Sequence, residues 1–206
     1  MRLGKLPTSK RVGGSGVDDV DWRRVLLRGW ELMRVVTLAR LQRALDQAVS
    51  DFRACGLYTD ALHEVPVFLV PVGVAYGWCS ATSEICIPAV SLMRLGEIWW
   101  PRVALRDVVR HEMAHALANL YEDVVDTHGF SKVFGGGYWH TWARPPVFDP
   151  STFVSPYATK SPAEDFAESI MVVTKYRGLV ERYAKRHGVM RKLRFVQGLA
   201  QGLTGM

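Results

Sequence analysis

One motif constrains this chain more than any other feature: the H-E-x-x-H sequence of residues 111–115. Apolar residues recur around it at three- and four-residue steps, which predicts a helix that Pro101 opens in its first turn. Positions four residues apart lie about 40° apart around a helix, so His111 and His115 can reach one metal ion. Glu112 projects about 100° from His111, where its carboxylate can hold a water bound to that metal.

Two imidazoles do not complete a catalytic zinc site, because a third protein ligand and an open position for water are also needed. The metzincin class of enzymes has Gly and His where this chain has Ala118 and Tyr121, so that class is excluded. Two candidates for the third ligand remain, Glu164 and His128.

Glu164 lies in a predicted helix that begins at Ser161 and Pro162. Glu168 shares its face of this helix, and the spacing resembles the thermolysin-type pattern, in which a ligand Glu precedes an acid that bonds a ligand histidine. Asp165 is the alternative for that supporting role. A purely local interpretation also exists, since Ser161 and Glu164 form a capping box and first-turn acids complement the helix dipole.

The segment that contains Glu164 resembles a known family. Residues 153–168, FVSPYATKSPAEDFAE, are similar to a segment of gluzincin peptidases related to the anthrax lethal factor catalytic domain and to the Mlc titration factor peptidases. The resemblance extends over about residues 105–175. It implies that Tyr157 faces a metal ion, whereas Pro156 departs from the family pattern.

The resemblance implies a zinc-dependent metallopeptidase that hydrolyses peptide bonds. In such an enzyme His111, His115 and Glu164 would hold one Zn²⁺ ion, which lowers the pKa of its bound water towards 7. Glu112 would act as the general base that takes the proton of this water. Tyr157 would donate a hydrogen bond to the developing oxyanion.

His128 supports a different interpretation. SprT-like, DNA-associated peptidases place their third histidine ligand in a His-Gly context at a similar spacing, and His128 precedes Gly129. Those peptidases lack the segment at residues 157–168. A third interpretation is a zinc-stabilised binding module without turnover, which would have no use for Glu112 as a general base.

Charge is distributed unevenly along the 206 residues: the net charge is +6 over residues 1–44, −7 over 45–174 and +7 over 175–206. The acidic middle suits a cation site. The basic ends make nucleic acid or an acidic partner a candidate for binding, in addition to a peptide or protein substrate. Solvated helix faces are the plainer explanation of these basic residues. No stretch approaches a membrane span and no signal peptide is seen, so we expect a cytoplasmic protein.

The order of elements predicts an α+β fold, with a small mixed sheet packed on the H-E-x-x-H helix and a helical C-terminal part that supplies Glu164. The resemblance implies that this fold is zincin-like. Residues 1–20 are predicted to form a flexible basic tail, and residues 21–206 a single metallopeptidase domain. Pro88 confines the predicted strand Ile85–Val90 to an edge or a bulge of the sheet. We take it as an edge strand and expect an extended substrate to pair there.

Other expectations concern the middle of the chain. Flanking prolines limit one predicted strand to Val67–Val70, and another is expected at Val74–Trp78. Residues 122–160 show no sustained periodicity, which predicts a long loop. Cys79 and Cys86 can face each other across a hairpin, so the sequence leaves their pairing open.

Overall fold

The structure, a computed structural model, describes residues 35–96 and 103–203. These residues form an α+β fold of eight α-helices and a small mixed sheet of three strands. The predicted tail at residues 1–20 lies outside the described residues. Within the described ranges, no helix combines the length and the apolar character that crossing a membrane requires.

Helices make up most of the described chain, and the strands are confined to residues 67–91. The helices are α1 Leu38–Ala54, α2 Asp60–His63, α3 Leu92–Gly96, α4 Leu105–Leu120, α5 Glu122–Val125, α6 His128–Phe134, α7 Pro162–Lys175 and α8 His187–Leu203. The strands are β1 Val67–Gly73, β2 Trp78–Cys79 and β3 Ile85–Ser91, and short 3-10 turns span Tyr157–Thr159 and Glu181–Tyr183. The sheet therefore precedes α4, the helix that carries the H-E-x-x-H motif.

The middle strand of the sheet is β3. Its partner β1 runs parallel to it, with Val67 opposite Ile85, and β2 runs antiparallel, with Trp78 opposite Cys86. The prediction that Ile85–Val90 is an edge strand is therefore wrong. The outer strands of the described sheet are β1 and β2.

Pro88 fits into this middle strand for a local reason. The backbone N–H of Ile85 donates to the Pro66 carbonyl beside β1. Because the backbone groups of successive residues point to alternate sides of a strand, the backbone of Pro88 faces the opposite side, where β2 lies. On that side β2 has already ended, and Arg94 donates to the Pro88 carbonyl at 2.9 Å instead. The N–H that proline lacks is therefore not needed for the ladder.

The two outer strands also differ from expectation. The first strand, β1, extends through Pro71 to Gly73, which an outer strand tolerates. The second, β2, has only two residues rather than the predicted Val74–Trp78, because the carbonyls of Val74 and Tyr76 accept hydrogen bonds from α3. The resulting register places Cys79 opposite Ile85 and not opposite Cys86. The three cysteines are free thiols.

The region predicted as a long loop, residues 122–160, contains α5 and α6 as well as a 3-10 turn. These elements are too short to show a periodicity in the sequence, and residues 135–156 do lack helix and strand. The helix with the H-E-x-x-H motif also begins later than Pro101, which lies outside the described residues. Its first helical residue is Leu105, preceded by Ala104 in an extended conformation.

A buried ionic network joins α4 to α1 and α7. Arg110 on α4 donates to Asp51 of α1 at 3.1 Å and also to Asp107 on its own helix. Asp107 accepts from Lys175 at 2.7 Å, and Asp51 accepts from Arg177 at 3.0 Å. The network fixes the turn of α4 that directly precedes the H-E-x-x-H motif.

We expect Asp51→Asn to lower the free energy of unfolding by up to about 3–5 kcal/mol, because the buried Arg110 loses one of its two carboxylate partners. Asp46→Asn is the matched control, since Asp46 is exposed on the same helix and its replacement should change that free energy by less than about 0.5 kcal/mol. Chemical denaturation at neutral pH measures both. Equal effects of the two substitutions would contradict a stabilising role of the network.

The Asp51 effect should also depend on pH. Burial raises the pKa of Asp51, but the hydrogen bonds from Arg110 and Arg177 outweigh burial and hold the pKa below its ordinary 3.8. The stabilisation is therefore present above pH 3.8 and is lost as the pH falls through the lowered pKa. The difference between wild type and Asp51→Asn should shrink in that acidic range.

Candidate metal centre

The two histidines of the motif and Glu164 meet at one point. His111 Nε2 lies 2.9 Å from Glu164 Oε2 and 3.1 Å from His115 Nε2, and His115 Nε2 lies 3.4 Å from the same carboxylate oxygen. Ligand atoms about 2.0–2.1 Å from a tetrahedral metal are about 3.3 Å apart. These side chains therefore form a group that can hold a metal ion.

The first turn of α7 presents Glu164 to the histidines. Ser161 is the N-cap of this helix, as predicted, and its Oγ accepts from the backbone N–H of Glu164 at 3.2 Å. The cap uses the backbone of Glu164, whereas the metal group uses its carboxylate. The capping and metal-ligand interpretations of this residue are therefore compatible.

A second carboxylate of α7 holds the other side of His111. The Nδ1–H of His111 donates to Glu168 Oε1 at 2.9 Å, and Ser155 Oγ donates to Glu168 Oε2 at 2.6 Å. Burial lowers the pKa of His111, but the hydrogen bonds to Glu164 and Glu168 outweigh it and raise the pKa to about 10. Glu168 thus makes the contact that is expected of a residue supporting a ligand imidazole.

Asp165, the alternative for that role, has another partner. Its Oδ2 lies 2.6 Å from Lys192 Nζ of α8, and both side chains are buried. Burial raises the pKa of Asp165 to about 6, against the opposing effect of Lys192. Lys192 also donates to the Thr152 carbonyl at 2.6 Å. Asp165 therefore connects α7 to α8 rather than to a ligand histidine.

Glu112 is buried beside β2, where the backbone N–H of Cys79 donates to its carboxylate. Burial raises the pKa of Glu112, and the nearby histidines His111 and His115 act in the opposite direction. The carboxylate of Glu112 is not part of the group that can hold a metal. A buried carboxylate with a raised pKa next to that group is suited to accept a proton.

Tyr157 lies at the open side of the group, with 42% of its surface exposed. Its hydroxyl donates to Glu164 Oε1 at 3.5 Å, and its ring meets the His111 ring edge-on at 5.6 Å. Burial raises the pKa of Tyr157, and the carboxylate of Glu164 adds to this effect. Pro156 precedes the 3-10 turn with φ −61°, a value that proline favours, so it is compatible with the placement of the tyrosine.

The structure places His128 elsewhere. It is the first residue of α6, its side chain is exposed, and it is not part of the group formed by His111, His115 and Glu164.

Sequence reasoning missed two residues, one that contacts the group and one that contacts Glu168 beside it. Tyr138 OH lies 2.8 Å from His115 Nδ1, although the two residues are 23 positions apart and no motif spacing connects them. Ser155 bonds Glu168, and its place in the family-like segment was a signal that could have revealed it.

Comparisons of the chain with protein-family models, with curated proteins and with solved structures find no match. The conclusions about this site therefore depend on its own geometry. That geometry combines three ligand-type side chains, a buried carboxylate and an exposed phenol.

Gly77 allows β2 to approach α4 closely. A Cβ atom at this position would lie 2.7 Å from Ile87 Cδ1 and 3.2 Å from Glu112 Oε1. We expect Gly77→Ala to lower the free energy of unfolding by about 1–3 kcal/mol, because the buried neighbours must shift. Thermal and chemical unfolding measure the effect.

Gly198→Ala is the matched control for this substitution. A Cβ atom at position 198 would meet nothing within 4 Å, and the residue is exposed within α8. Alanine should therefore raise the free energy of unfolding there by about 0.5–1 kcal/mol. If Gly77→Ala were neutral or stabilising, the close packing of Gly77 against Ile87 of β3 and Glu112 of α4 would be contradicted.

Proposed function

We propose that the protein is a zinc-dependent metallopeptidase of the gluzincin type with a zincin-like fold. The observation that carries this proposal is the meeting of His111, His115 and Glu164 with the mutual spacing of three ligands of one ion. Two histidines and one carboxylate are a ligand set of catalytic zinc, in which three protein ligands leave a fourth position for water or substrate.

The donor chemistry of the group fits zinc. Imidazole nitrogen suits zinc and other transition metals, whereas magnesium and calcium prefer sites made of oxygen ligands. Glu168 orients the His111 ring from its far nitrogen, which is the usual support of a ligand histidine. The side chains of His111, His115 and Glu164 remain partly exposed, so a metal and a substrate can reach them.

When bound, zinc supplies a Lewis acid and lowers the pKa of water towards 7. Glu112 takes the proton of the attacking water and passes it to the leaving amine. The Cys79 N–H occupies part of the Glu112 carboxylate and so fixes its orientation. Tyr157, which is 42% exposed beside Glu164, donates a hydrogen bond to the oxyanion that develops on the substrate carbonyl.

The substrate of such an enzyme is a peptide or protein in an extended conformation. Its backbone can lie along β2, the outer strand that borders Glu112 and has its described strand partner, β3, on the other side. This replaces the expectation that the substrate pairs along β3.

The two alternatives have less support. The SprT-like interpretation needs His128 as a ligand, and this residue is exposed outside the group. A binding module without turnover leaves no use for Glu112, whose burial costs free energy. Part of the C-terminal basic excess also has a local explanation, since Lys192 pairs with Asp165 and Arg186 donates to the Phe153 carbonyl at 2.6 Å.

The metal content tests the ligand set. We expect about one zinc ion per chain in the wild type, clear loss of zinc in Glu164→Ala, and full zinc in His128→Ala. Elemental mass spectrometry of the three purified proteins measures the ratio. Full zinc in Glu164→Ala together with loss in His128→Ala would transfer the third ligand to His128 and favour the SprT-like interpretation.

Hydrolysis tests the general base. We expect Glu112→Gln to retain zinc but to lose about 10²–10⁴-fold in rate, because the amide cannot take the proton. The assay follows cleavage of a fluorescently labelled unfolded protein such as casein. The exposed Glu181 provides the control, and Glu181→Gln should cleave at the wild-type rate. Undiminished cleavage by zinc-loaded Glu112→Gln would refute the proposed mechanism.

A further inference from the structure

We infer that Tyr138 is a positioning residue: when a metal binds His115 Nε2, the Nδ1–H of this ring donates to the Tyr138 hydroxyl, which holds the ring with Nε2 turned towards the metal. The inference rests on the proposed function, because it assumes that a metal occupies the group. It assigns a role to a buried hydroxyl that no sequence motif marks.

The geometry places the hydroxyl where only one histidine nitrogen can use it. Tyr138 OH lies 2.8 Å from His115 Nδ1, whereas His115 Nε2 faces His111 and Glu164. Tyr138 is 3% exposed, so water does not replace this contact at low cost.

A neutral imidazole carries one N–H and one lone pair, so the partner of one nitrogen determines what the other can do. In the neutral His111 ring that a metal would bind, Glu168, an acceptor when ionised, keeps the proton on Nδ1 and leaves the lone pair on Nε2. For His115 to bind the same metal through Nε2, its Nδ1 must also carry the proton. The nearest partner of that nitrogen is the oxygen of Tyr138, which can accept it.

The phenol is held in place from two directions. The backbone N–H of Tyr138 donates to Asp126 Oδ1 at 2.9 Å, which fixes the chain just after α6. Its ring packs against Phe130 and Phe166 with centroids 6.0 Å away in both cases. The hydroxyl oxygen therefore cannot move far from His115, and a residue so fixed can impose an orientation on the ring it touches.

A neutral partner also suits the charge of the site. Glu112, Glu164 and Glu168 already bring three carboxylates around His111 and His115. A further buried carboxylate on His115 would add like-charge repulsion and a desolvation cost. A phenol supplies the hydrogen bond without that charge.

The test compares Tyr138→Phe with wild type in zinc affinity, measured by competition with a chromophoric chelator. We expect zinc to bind about 10–100-fold more weakly in Tyr138→Phe, the usual effect of removing the partner of a ligand histidine. Tyr183→Phe is the matched control, because Tyr183 loses a hydrogen bond to Tyr176 outside the metal group. It should bind zinc with the wild-type affinity.

Two further measurements separate positioning from a merely structural role. The metal-free Tyr138→Phe protein should lose some stability with the buried hydrogen bond but stay folded at the temperature of the zinc assay, since phenylalanine keeps the ring in its aromatic contacts. In the zinc-loaded proteins, NMR of ¹⁵N-labelled histidine should show a His115 Nδ1 proton that exchanges with water faster in Tyr138→Phe. The His111 Nδ1 proton should be unchanged.

Equal zinc affinity in wild type and Tyr138→Phe would overturn the inference while leaving the metallopeptidase proposal intact. A loss of affinity that only parallels a loss of metal-free stability would overturn it as well. Conversely, Tyr138→Phe could weaken zinc binding while the zinc-loaded wild type hydrolyses no peptide bond. That result would refute the proposed function and retain the positioning role of Tyr138.

Discussion

The contact between His111 and two carboxylates of α7 is the interaction on which the arrangement of the site depends. Glu164 and Glu168 lie one helical turn apart and bond the two ring nitrogens of this single histidine. Because an imidazole has a fixed width, the pair sets both the distance between α4 and α7 and the position of α7 along α4. A shift of α7 by one residue would remove both contacts and turn a different face towards the motif.

The same two helices are held a second time at the turn before the motif. Asp107 of α4 accepts from Lys175 at the far end of α7, and Arg110 extends the connection to Asp51 of α1. Buried ionic contacts are costly to leave incomplete, so they penalise any other register of these helices. Apolar packing alone would tolerate small shifts, whereas this combination of charges favours one arrangement, and the group that can hold a metal forms one end of it.

Local patterns in the sequence predicted much of the site, and distant contacts account for what they missed. The Ser161 cap and the spacing of Glu164 and Glu168 are encoded within a few residues, so they could be recognised directly. The middle position of β3 depends on its pairing with both β1 and β2, which lie outside the local sequence pattern around Pro88. Pro88 alone therefore suggested an edge position, which is wrong. Tyr138 reaches the site through a segment whose two short helices leave no periodicity to detect.

The buried pair of Asp165 and Lys192 has a consequence for the order of events during synthesis. Asp165 follows Glu164 directly, and its carboxylate has its cationic partner on α8. A nascent chain that has not yet exposed residue 192 outside the ribosome lacks this cation, so Asp165 can enter the core only later or as a neutral carboxyl group. We therefore expect the first turn of α7, and Glu164 with it, to be held firmly only once α8 has been translated.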